Sequence, residues 1–410
     1  MRFPGGQNLS PNMSKCGVVA LAVALIASLA ATRPAVAQSE TVLYNFCSLA
    51  NCADGKEPLR NIVRDSQGNI YGTTAAGGQF GVGVLYQVSP SGVETVLHHF
   101  GSTADDGQGP YGLVADSQGN LYGTTFSGGT HVFQGASGGT AFKMTPDGTY
   151  SILYNFGATS TDALHPSAGL TVDAKGNLYG VSEYGGANNY GTIFKLTPTG
   201  KETVLHSFNN DRVDGYLPFE ELTLDRKGNV WGVSTYGGKR DQGIIFEVSA
   251  SGVYSIRFNF GSSYSGVGGP ESNITFDIAG NLYGTATSYG LAHMGGVYEI
   301  TRGSTSIWTE NVLASFTSSE GFFPEAGVTS DSAGNLYGTA VSGGTSGNGT
   351  AYELTSDGQL ITLFNFDYTH GSTPDTNLLL DSAGNLYGTT PYGGTSNTTS
   401  GGGVLYEITP

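Results

Sequence analysis

Basic residues are scarce in this chain. Lys and Arg together number 17 against 33 Asp and Glu, and the formal net charge is −16. A surface of that sign repels nucleic-acid phosphates and anionic membranes, so neither is expected as a partner. Glycans, small molecules, cations and other proteins remain as ligand classes.

Local catalytic and metal-binding motifs are also missing. The chain holds no His-Glu-x-x-His, no phosphate-binding loop and no Cys-x-x-Cys pair. The sequence therefore predicts no cofactor, no metal and no assigned catalytic residue. Function has to be argued from the organisation of the chain.

Long apolar runs are absent apart from one, at residues 17–30. Arg2 and Lys15 precede it, and a small-residue stretch ending at Ala37 follows it. A membrane span needs about 20 residues, so the run is too short to cross a bilayer. The pattern is typical of a signal peptide, and it predicts a secreted or periplasmic protein without stable membrane insertion.

Cysteine is rare, with three residues in the chain. Cleavage after Ala37 leaves only Cys47 and Cys52. Disulfides persist outside the cytoplasm, so the sequence predicts that these two are linked. Two thiols without nearby histidines are too few ligands for a metal site.

Glycine and aromatic residues are abundant, with 65 Gly, 23 Tyr and 20 Phe. Glycine weakens helices, whereas aromatic and β-branched residues favour strands. The composition therefore predicts an all-β fold with many tight turns.

One phrase, of the form Asp-x-x-Gly-Asn-x-Tyr/Trp-Gly, occurs seven times at intervals of 50 to 57 residues. Repeats of this length are typical of propellers and solenoids. The phrases begin at Asp65, Asp116, Asp173, Asp225, Asp277, Asp331 and Asp381. Asp and Gly are interpreted as residues of a hairpin turn, not as calcium ligands, and the aromatic residue as packing between units.

Each repeat contains four candidate strands, which in the third repeat span residues 169–173, 178–182, 192–197 and 202–208. Residues 41–46 match a fourth strand, while the chain stops at the end of a third strand. A closed ring, in which the N-terminal strand pairs with the three C-terminal strands, explains why one repeat is split between the two ends. Closure also removes exposed sheet edges. We therefore expect a signal peptide over residues 1–37 and one seven-bladed β-propeller of four-stranded antiparallel blades over residues 38–410.

The repeat resembles a known family. Asp-x-x-Gly-Asn-Leu-Tyr-Gly-Thr, a following Gly-Gly, and Gly-x-x-Tyr/Phe-Glu/Lys-Leu-Thr-Pro-x-Gly resemble the GloVer (Gloeo/Verruco) tandem repeat of exported bacterial proteins, over residues 41–410. The core phrase is also similar to NHL repeats and to streptogramin lyase. The resemblance implies a propeller and an exported location, but no particular reaction.

Two sets of residues are candidates for ligand binding on one face. The loop before the first strand carries a polar residue four positions before a repeated proline, at Asp54, Asp106, Asp162, Asp214, Glu320 and His370. The loop after the second strand carries Tyr184, Tyr236 and Tyr392 just before paired glycines. An alternative is that the acids cap turns and the aromatics cover the rim. His98 and His206 occupy a strand position that is aromatic in other repeats, so we interpret them as packing residues.

The sequence favours a non-catalytic binding or interaction module, with glycans or surface proteins as candidate ligands. One alternative is a lyase or hydrolase acting on a polysaccharide or small molecule at the channel mouth, with Asp214, Glu320 and His370 as candidate residues. Another is a structural component of the cell envelope. The ligand is not specified by the sequence.

The export signal gives a direct prediction. The exported protein should begin at Gln38, because the small-residue site ending at Ala37 follows the apolar run at the spacing that signal peptidase uses. N-terminal sequencing of material from outside the cytoplasm checks this. An uncleaved product held in the membrane would contradict it.

Overall fold

A computed structural model describes residues 39–409 except residues 134, 210, 212, 217, 262–265, 290–293, 304–306 and 397–400. The signal peptide predicted for residues 1–37 lies outside the described residues. Seven antiparallel sheets, which we call blades 1 to 7 in chain order, follow one another around a central channel. The all-β seven-bladed propeller predicted from the repeats is confirmed.

Each blade has an innermost strand that is divided into two short segments. The first segments are Lys56–Pro58, Gly107–Pro110, Ala163–Pro166, Gly215–Tyr216 and Val267–Pro270. Blades 6 and 7 have single bridges there, Phe322 to Ser342 and Ser372 to Tyr392. The second segments are Val63–Arg64, Val114–Ala115, Thr171–Val172, Thr223–Leu224, Thr275–Phe276, Thr329–Ser330 and Leu379–Leu380.

The remaining three strands of each blade are longer. Second strands are Ile70–Ala76, Leu121–Gly128, Leu178–Gly185, Val230–Ser234 continued by Tyr236–Gly237, Leu282–Tyr289, Leu336–Ala340 and Leu386–Thr390. Third strands are Val84–Val88, Thr140–Met144, Thr192–Leu196, Ile244–Val248, Gly296–Arg302, Thr350–Leu354 and Val404–Thr409. Outer strands are Glu94–His99, Tyr150–Asn155, Glu202–Ser207, Tyr254–Asn259, Trp308–Ser315, Leu360–Asn365 and Ser39–Asn45. A small hairpin, Val132–Phe133 with Ala136–Ser137, extends blade 2, and Ala50–Cys52 forms one 3₁₀ turn.

The two ends of the chain share blade 7. Ser39–Asn45 pairs antiparallel with Val404–Thr409, with Ser39 opposite Thr409 and Asn45 opposite Val404. This closure confirms the ring predicted from the phase of the repeats. A disulfide joins Cys47 to Cys52 directly after the closing strand, also as predicted.

The repeated aspartates close hairpin turns. Asp65 Oδ1 accepts the backbone N–H groups of Gln67 and Asn69, and Oδ2 accepts from the Asn69 amide at 2.8 Å and the Tyr71 hydroxyl at 3.1 Å. Gly68 adopts φ +85°, the left-handed conformation that the turn requires. Every oxygen of Asp65 is therefore used within its own turn.

A proline of each blade packs on a glycine of the preceding one. At ring closure, a Cβ on Gly403 would lie 2.5 Å from Pro58 Cδ and would also collide with the Thr390 carbonyl oxygen. Beside this contact, the backbone N–H of Glu57 donates to the Gly402 carbonyl at 2.8 Å. The same pairing recurs around the ring, as Gly83/Pro110, Gly139/Pro166, Gly191/Pro218, Gly243/Pro270, Gly295/Pro324 and Gly349/Pro374.

The hydrophobic core is divided among the blade junctions. At ring closure, Tyr387 and Leu405 of blade 7 pack in one buried cluster with Ile62 and Tyr86 of blade 1. The repeated aromatic position therefore packs between blades, as the sequence predicts. No helix among the described residues is long and apolar enough to cross a membrane.

The glycine–proline contact can be tested with a matched pair of substitutions. Gly403 (φ +86°) and Gly358 (φ +89°) have the same left-handed backbone conformation, but a Cβ on Gly358 meets nothing within 4 Å. Left-handed strain should affect Gly403→Ala and Gly358→Ala equally, at about 1–2 kcal/mol. Overpacking at the junction should lower the free energy of unfolding of Gly403→Ala by a further 1–3 kcal/mol or so. Equal losses in denaturant titrations would contradict this role for the contact.

Candidate functional site

The candidate aspartates in the loops before the first strands are buried and hydrogen-bonded within the protein. Asp54, Asp106, Asp162 and Asp214 are at most 6% exposed. Asp106, for example, accepts from the Ser102 backbone N–H at 3.0 Å and from the Tyr150 hydroxyl at 3.0 Å. These contacts fit the alternative that the acids cap their loops. A binding role for them stays a prediction.

Histidine joins two of these acids to the preceding blade. His98 Nε2 lies 2.9 Å from Asp106 Oδ2, and His206 Nε2 lies 2.8 Å from Asp214 Oδ2. Each imidazole also stacks on a tyrosine, with the His98 and Tyr150 rings 3.7 Å apart. Burial alone would raise the pKa of Asp106, but hydrogen bonds from His98 and Ser102 lower it to about 2. Both histidines thus pack at blade junctions, in agreement with their interpretation from sequence.

Glu320 and His370 are more accessible than the aspartates. Glu320 accepts from the backbone N–H and the hydroxyl of Thr317. The His370 side chain is 45% exposed, and its Nδ1 lies 2.8 Å from Asp367 Oδ1. His370 Nε2 also lies 4.0 Å from Glu40 Oε2 in the strand that closes the ring. The three residues considered for a catalytic alternative, Asp214, Glu320 and His370, belong to three different blades.

The three candidate tyrosines stand on the same face as the first loops. Strand pairing sets Leu164 opposite Tyr184 and Tyr216 opposite Tyr236, and a bridge joins Ser372 to Tyr392. Tyr184 is 39%, Tyr236 45% and Tyr392 42% exposed. The Tyr236 ring stacks on Tyr216 at 5.5 Å. These accessible rings can contact a ligand at the loop face.

The sequence reasoning considered a site at the channel mouth but missed the residues that line the channel. Between the two segments of each innermost strand, directly after the repeated proline, lie residues that differ from blade to blade. They surround a cavity of about 290 Å³, close to the lower end of small-molecule sites. The cavity is lined by Leu59, Arg60, Asn61, Tyr111, Gly112, Ser167, Ala168, Gly169, Phe219, Glu220, Glu221, Asn273, Asp375 and Asn377. A comparison of these tripeptides within the sequence would have revealed their variability.

Threonines of the preceding blade position these channel segments. The Thr73 hydroxyl donates to the Tyr111 carbonyl at 2.9 Å, and the Thr389 hydroxyl donates to the Leu59 carbonyl at 3.1 Å. The backbone of the lining is thereby fixed by residues of the repeated scaffold.

Arg60 joins four blades across the channel. Its guanidinium lies 3.5 Å from Glu220 Oε1, 3.5 Å from Asp375 Oδ2 and 3.8 Å from Glu325 Oε2. It also donates to the Glu325 carbonyl at 3.2 Å. Three carboxylates therefore share one cation.

The carboxyl groups of the channel hold their protons unusually strongly. Burial raises the pKa of Glu220 to about 7 despite the charge of Arg60. Burial and the charge of Glu220 raise the pKa of Glu221 to about 8. Burial also raises the pKa of Glu325 and Asp375. The protonation of Glu220 and Glu221 therefore changes near neutral pH.

Amide side chains complete the polar lining. Asn377 Nδ2 donates to Asn61 Oδ1 at 2.8 Å, and Asn377 Oδ1 accepts from the Gly327 N–H at 2.6 Å. With the exposed ring of Phe219 and the half-buried ring of Tyr111, the cavity combines aromatic faces with hydrogen-bonding groups. Such a combination is suited to binding a small polar molecule.

The sequence profile of the Gloeobacter/Verrucomicrobia repeat matches residues 33–246 and 221–410, which together span nearly the whole chain. The chain belongs to this repeat family. The match confirms the resemblance noted from the repeated phrases. No curated protein shows significant sequence similarity to the chain.

Solved propellers share the fold at low identity. The chain is similar to the extracellular domain of a protein described as a hybrid two-component system of B. thetaiotaomicron, with 14% identity and a TM-score of 0.55 over 90% of this chain and 41% of that one. A second extracellular domain from the same organism, described as a one-component system, has 12% identity and a TM-score of 0.53 over 88% of this chain and 39% of that one. A gluconolactonase of Xanthomonas campestris has 15% identity and a TM-score of 0.45 over 87% of this chain and 95% of that one.

The raised pKa of Glu221 gives a pH-dependent prediction. Its usual value is 4.5, so the folded state binds this proton more tightly than the unfolded chain. The group's contribution to stability is complete below about pH 4.5 and is lost as the pH rises toward 8. Relative to wild type, Glu221→Gln should therefore gain stability as the pH is raised through this range.

Melting temperatures of wild type and variant, measured across that range, check the prediction. Asp105→Asn is the control, because Asp105 is an exposed acid and the substitution removes the same carboxyl group. Its difference from wild type should stay constant with pH. A Glu221→Gln difference that is equally constant would contradict the titration of Glu221 in the folded state.

Proposed function

We propose that this propeller is an exported, non-catalytic binding module for glycans. The central subsite is the channel cavity, and the outer subsites are formed by Tyr184, Tyr236 and Tyr392. One observation carries the proposal: no two blades have the same tripeptide after the repeated proline, and residues from six of these seven tripeptides converge on a single cavity. Residues that only maintain a repeat have no reason to vary in this way.

The chemistry of the cavity supports a polyhydroxylated ligand. Carboxylates accept hydrogen bonds from hydroxyl groups, and amides both accept from and donate to them. An aromatic ring stacks on the apolar face of a sugar. Phe219, 38% exposed, supplies such a ring at the cavity. The disulfide between Cys47 and Cys52 fits a protein that works outside the cytoplasm.

The binding role is tested with residues 38–410, a panel of mono- and oligosaccharides, and titration calorimetry of those that bind. Phe219→Ala should weaken binding at least tenfold, and the triple change of Tyr184, Tyr236 and Tyr392 to Ala should abolish oligosaccharide binding. Both variants should melt close to wild type, because these rings bury less apolar area than core aromatics. Ile278→Ala is the matched control, since Ile278 is 88% exposed in a turn at the opposite end of the blade.

Unchanged affinity in a well-folded Phe219→Ala variant would exclude the cavity as the central subsite. Unchanged affinity in the triple variant would exclude the outer tyrosines. A loss of several kcal/mol in stability would instead indicate core packing, by comparison with buried aromatic truncations of about 3–5 kcal/mol.

An enzymatic role is the second candidate, favoured by the raised pKa of Glu221. A carboxyl group that is protonated near neutral pH can act as a general acid in a lyase or hydrolase. Incubation of each bound glycan with the protein, followed by product analysis, separates this candidate from a binding module. Products that disappear in Glu221→Gln would overturn the non-catalytic proposal.

A further inference from the structure

Three acceptor atoms at the central cavity have no donor. Glu221 Oε1, Asn273 Oδ1 and Asp375 Oδ1 are buried and have no hydrogen-bond partner. They come from blades 4, 5 and 7, and all three residues line the cavity. A buried acceptor loses its hydrogen bonds to water and gains nothing in exchange. A ligand that brings donors to this point would satisfy them.

Carboxyl groups also outnumber basic groups here. Arg60 is the one basic side chain of the lining, and Glu220, Glu325 and Asp375 share it. None of the ion pairs among the described residues includes Glu221. Burial raises the pKa of Glu221, and a positively charged ligand beside it would favour its ionised form.

Glycines leave space around two of the acceptors. A side chain at Gly169 would collide with Glu221 Oε1, and one at Gly327 would collide with Asn273 Oδ1. Both glycines occupy the third position after the repeated proline, where Asn61, Glu221 and Asn273 stand in other blades. These two acceptor oxygens thus occupy space that a side chain at the two glycine positions would otherwise fill.

The donor set distinguishes an ammonium group from a metal ion. No group of three His, Cys, Asp or Glu side chains among the described residues is placed to hold a metal. An ammonium group carries three N–H donors and one positive charge, which matches the three acceptors and a carboxyl group that forms none of the ion pairs among the described residues. We infer that the ligand carries a primary ammonium group, which donates to Glu221, Asn273 and Asp375 as these side chains turn toward it. The inference rests on the proposed function, because it names the charge of the ligand at the same site.

Matched pairs of sugars test the inference on residues 38–410. Titration calorimetry compares glucosamine with glucose and N-acetylglucosamine, and galactosamine with galactose, at a pH where the amines are charged. Ethanolamine and CaCl₂ are titrated separately. We expect each amino sugar to bind at least tenfold more tightly than its neutral partner. Glu221→Gln should remove that preference, and the exposed control Asp105→Asn should leave the affinities for both sugars unchanged.

The outcomes separate the two proposals. Equal affinity for amino and neutral sugars would overturn the ammonium inference and leave the glycan proposal standing. Binding of ethanolamine without any sugar would support the ammonium inference and overturn the glycan proposal, and binding of neither would overturn both. Calcium binding that is lost in Glu221→Gln would assign the acceptors to a metal ion instead. Because the comparison of paired sugars is made on wild type, it stands even if a variant fails to fold.

Discussion

The packing of a proline on the glycine of the preceding blade determines how closely neighbouring blades approach. Only a residue without a side chain fits at Gly403 or its equivalents, because a Cβ would overlap both the proline ring and the backbone. The contact occurs at all seven junctions, including the one that closes the ring between Gly403 and Pro58. Since each proline directly precedes the channel segment of its blade, the same contact also places the residues that line the channel.

Each repeat contains residues that recur in most blades and maintain the propeller, and residues that vary between blades and line the central channel. The loop aspartates illustrate the first kind: Asp106 is buried and bonded to His98, Ser102 and Tyr150. The positions after the proline illustrate the second kind, with Arg60 in blade 1 and Glu220 in blade 4 facing each other across the channel. A rigid ring of this type holds variable side chains at fixed positions without requiring the scaffold to change.

Arg60 has a particular place in this arrangement. Its guanidinium binds carboxylates from blades 4, 6 and 7, so one side chain from blade 1 balances charges that would otherwise repel each other. The balance is incomplete, because none of the ion pairs that Arg60 forms includes Glu221, whose pKa remains raised despite the charge of Arg60. The excess of acceptors over donors at the cavity therefore results from single residues that differ between repeats. These residues make the channel lining asymmetric, although the scaffold around it has pseudo-sevenfold symmetry.

The sequence alone determined the fold of this protein. Seven copies of one phrase, the strand pattern between them and the split repeat at the two ends sufficed to predict the blades and their closure, because these features depend on local turns and on neighbouring strands. Cys47 and Cys52 could likewise be paired from their number.

The candidate site could not be predicted in the same way. Asp54 and Asp214 resembled ligand-binding acids in a repeated loop, but only the tertiary structure shows their carboxylates turned inward to their own loops and the adjoining blades. Arg60 and Glu221 are 161 residues apart in the sequence, and Glu221 and Asp375 are 154 residues apart. No local pattern relates such distant residues; they meet because closure of the ring brings one segment of every blade to a common axis.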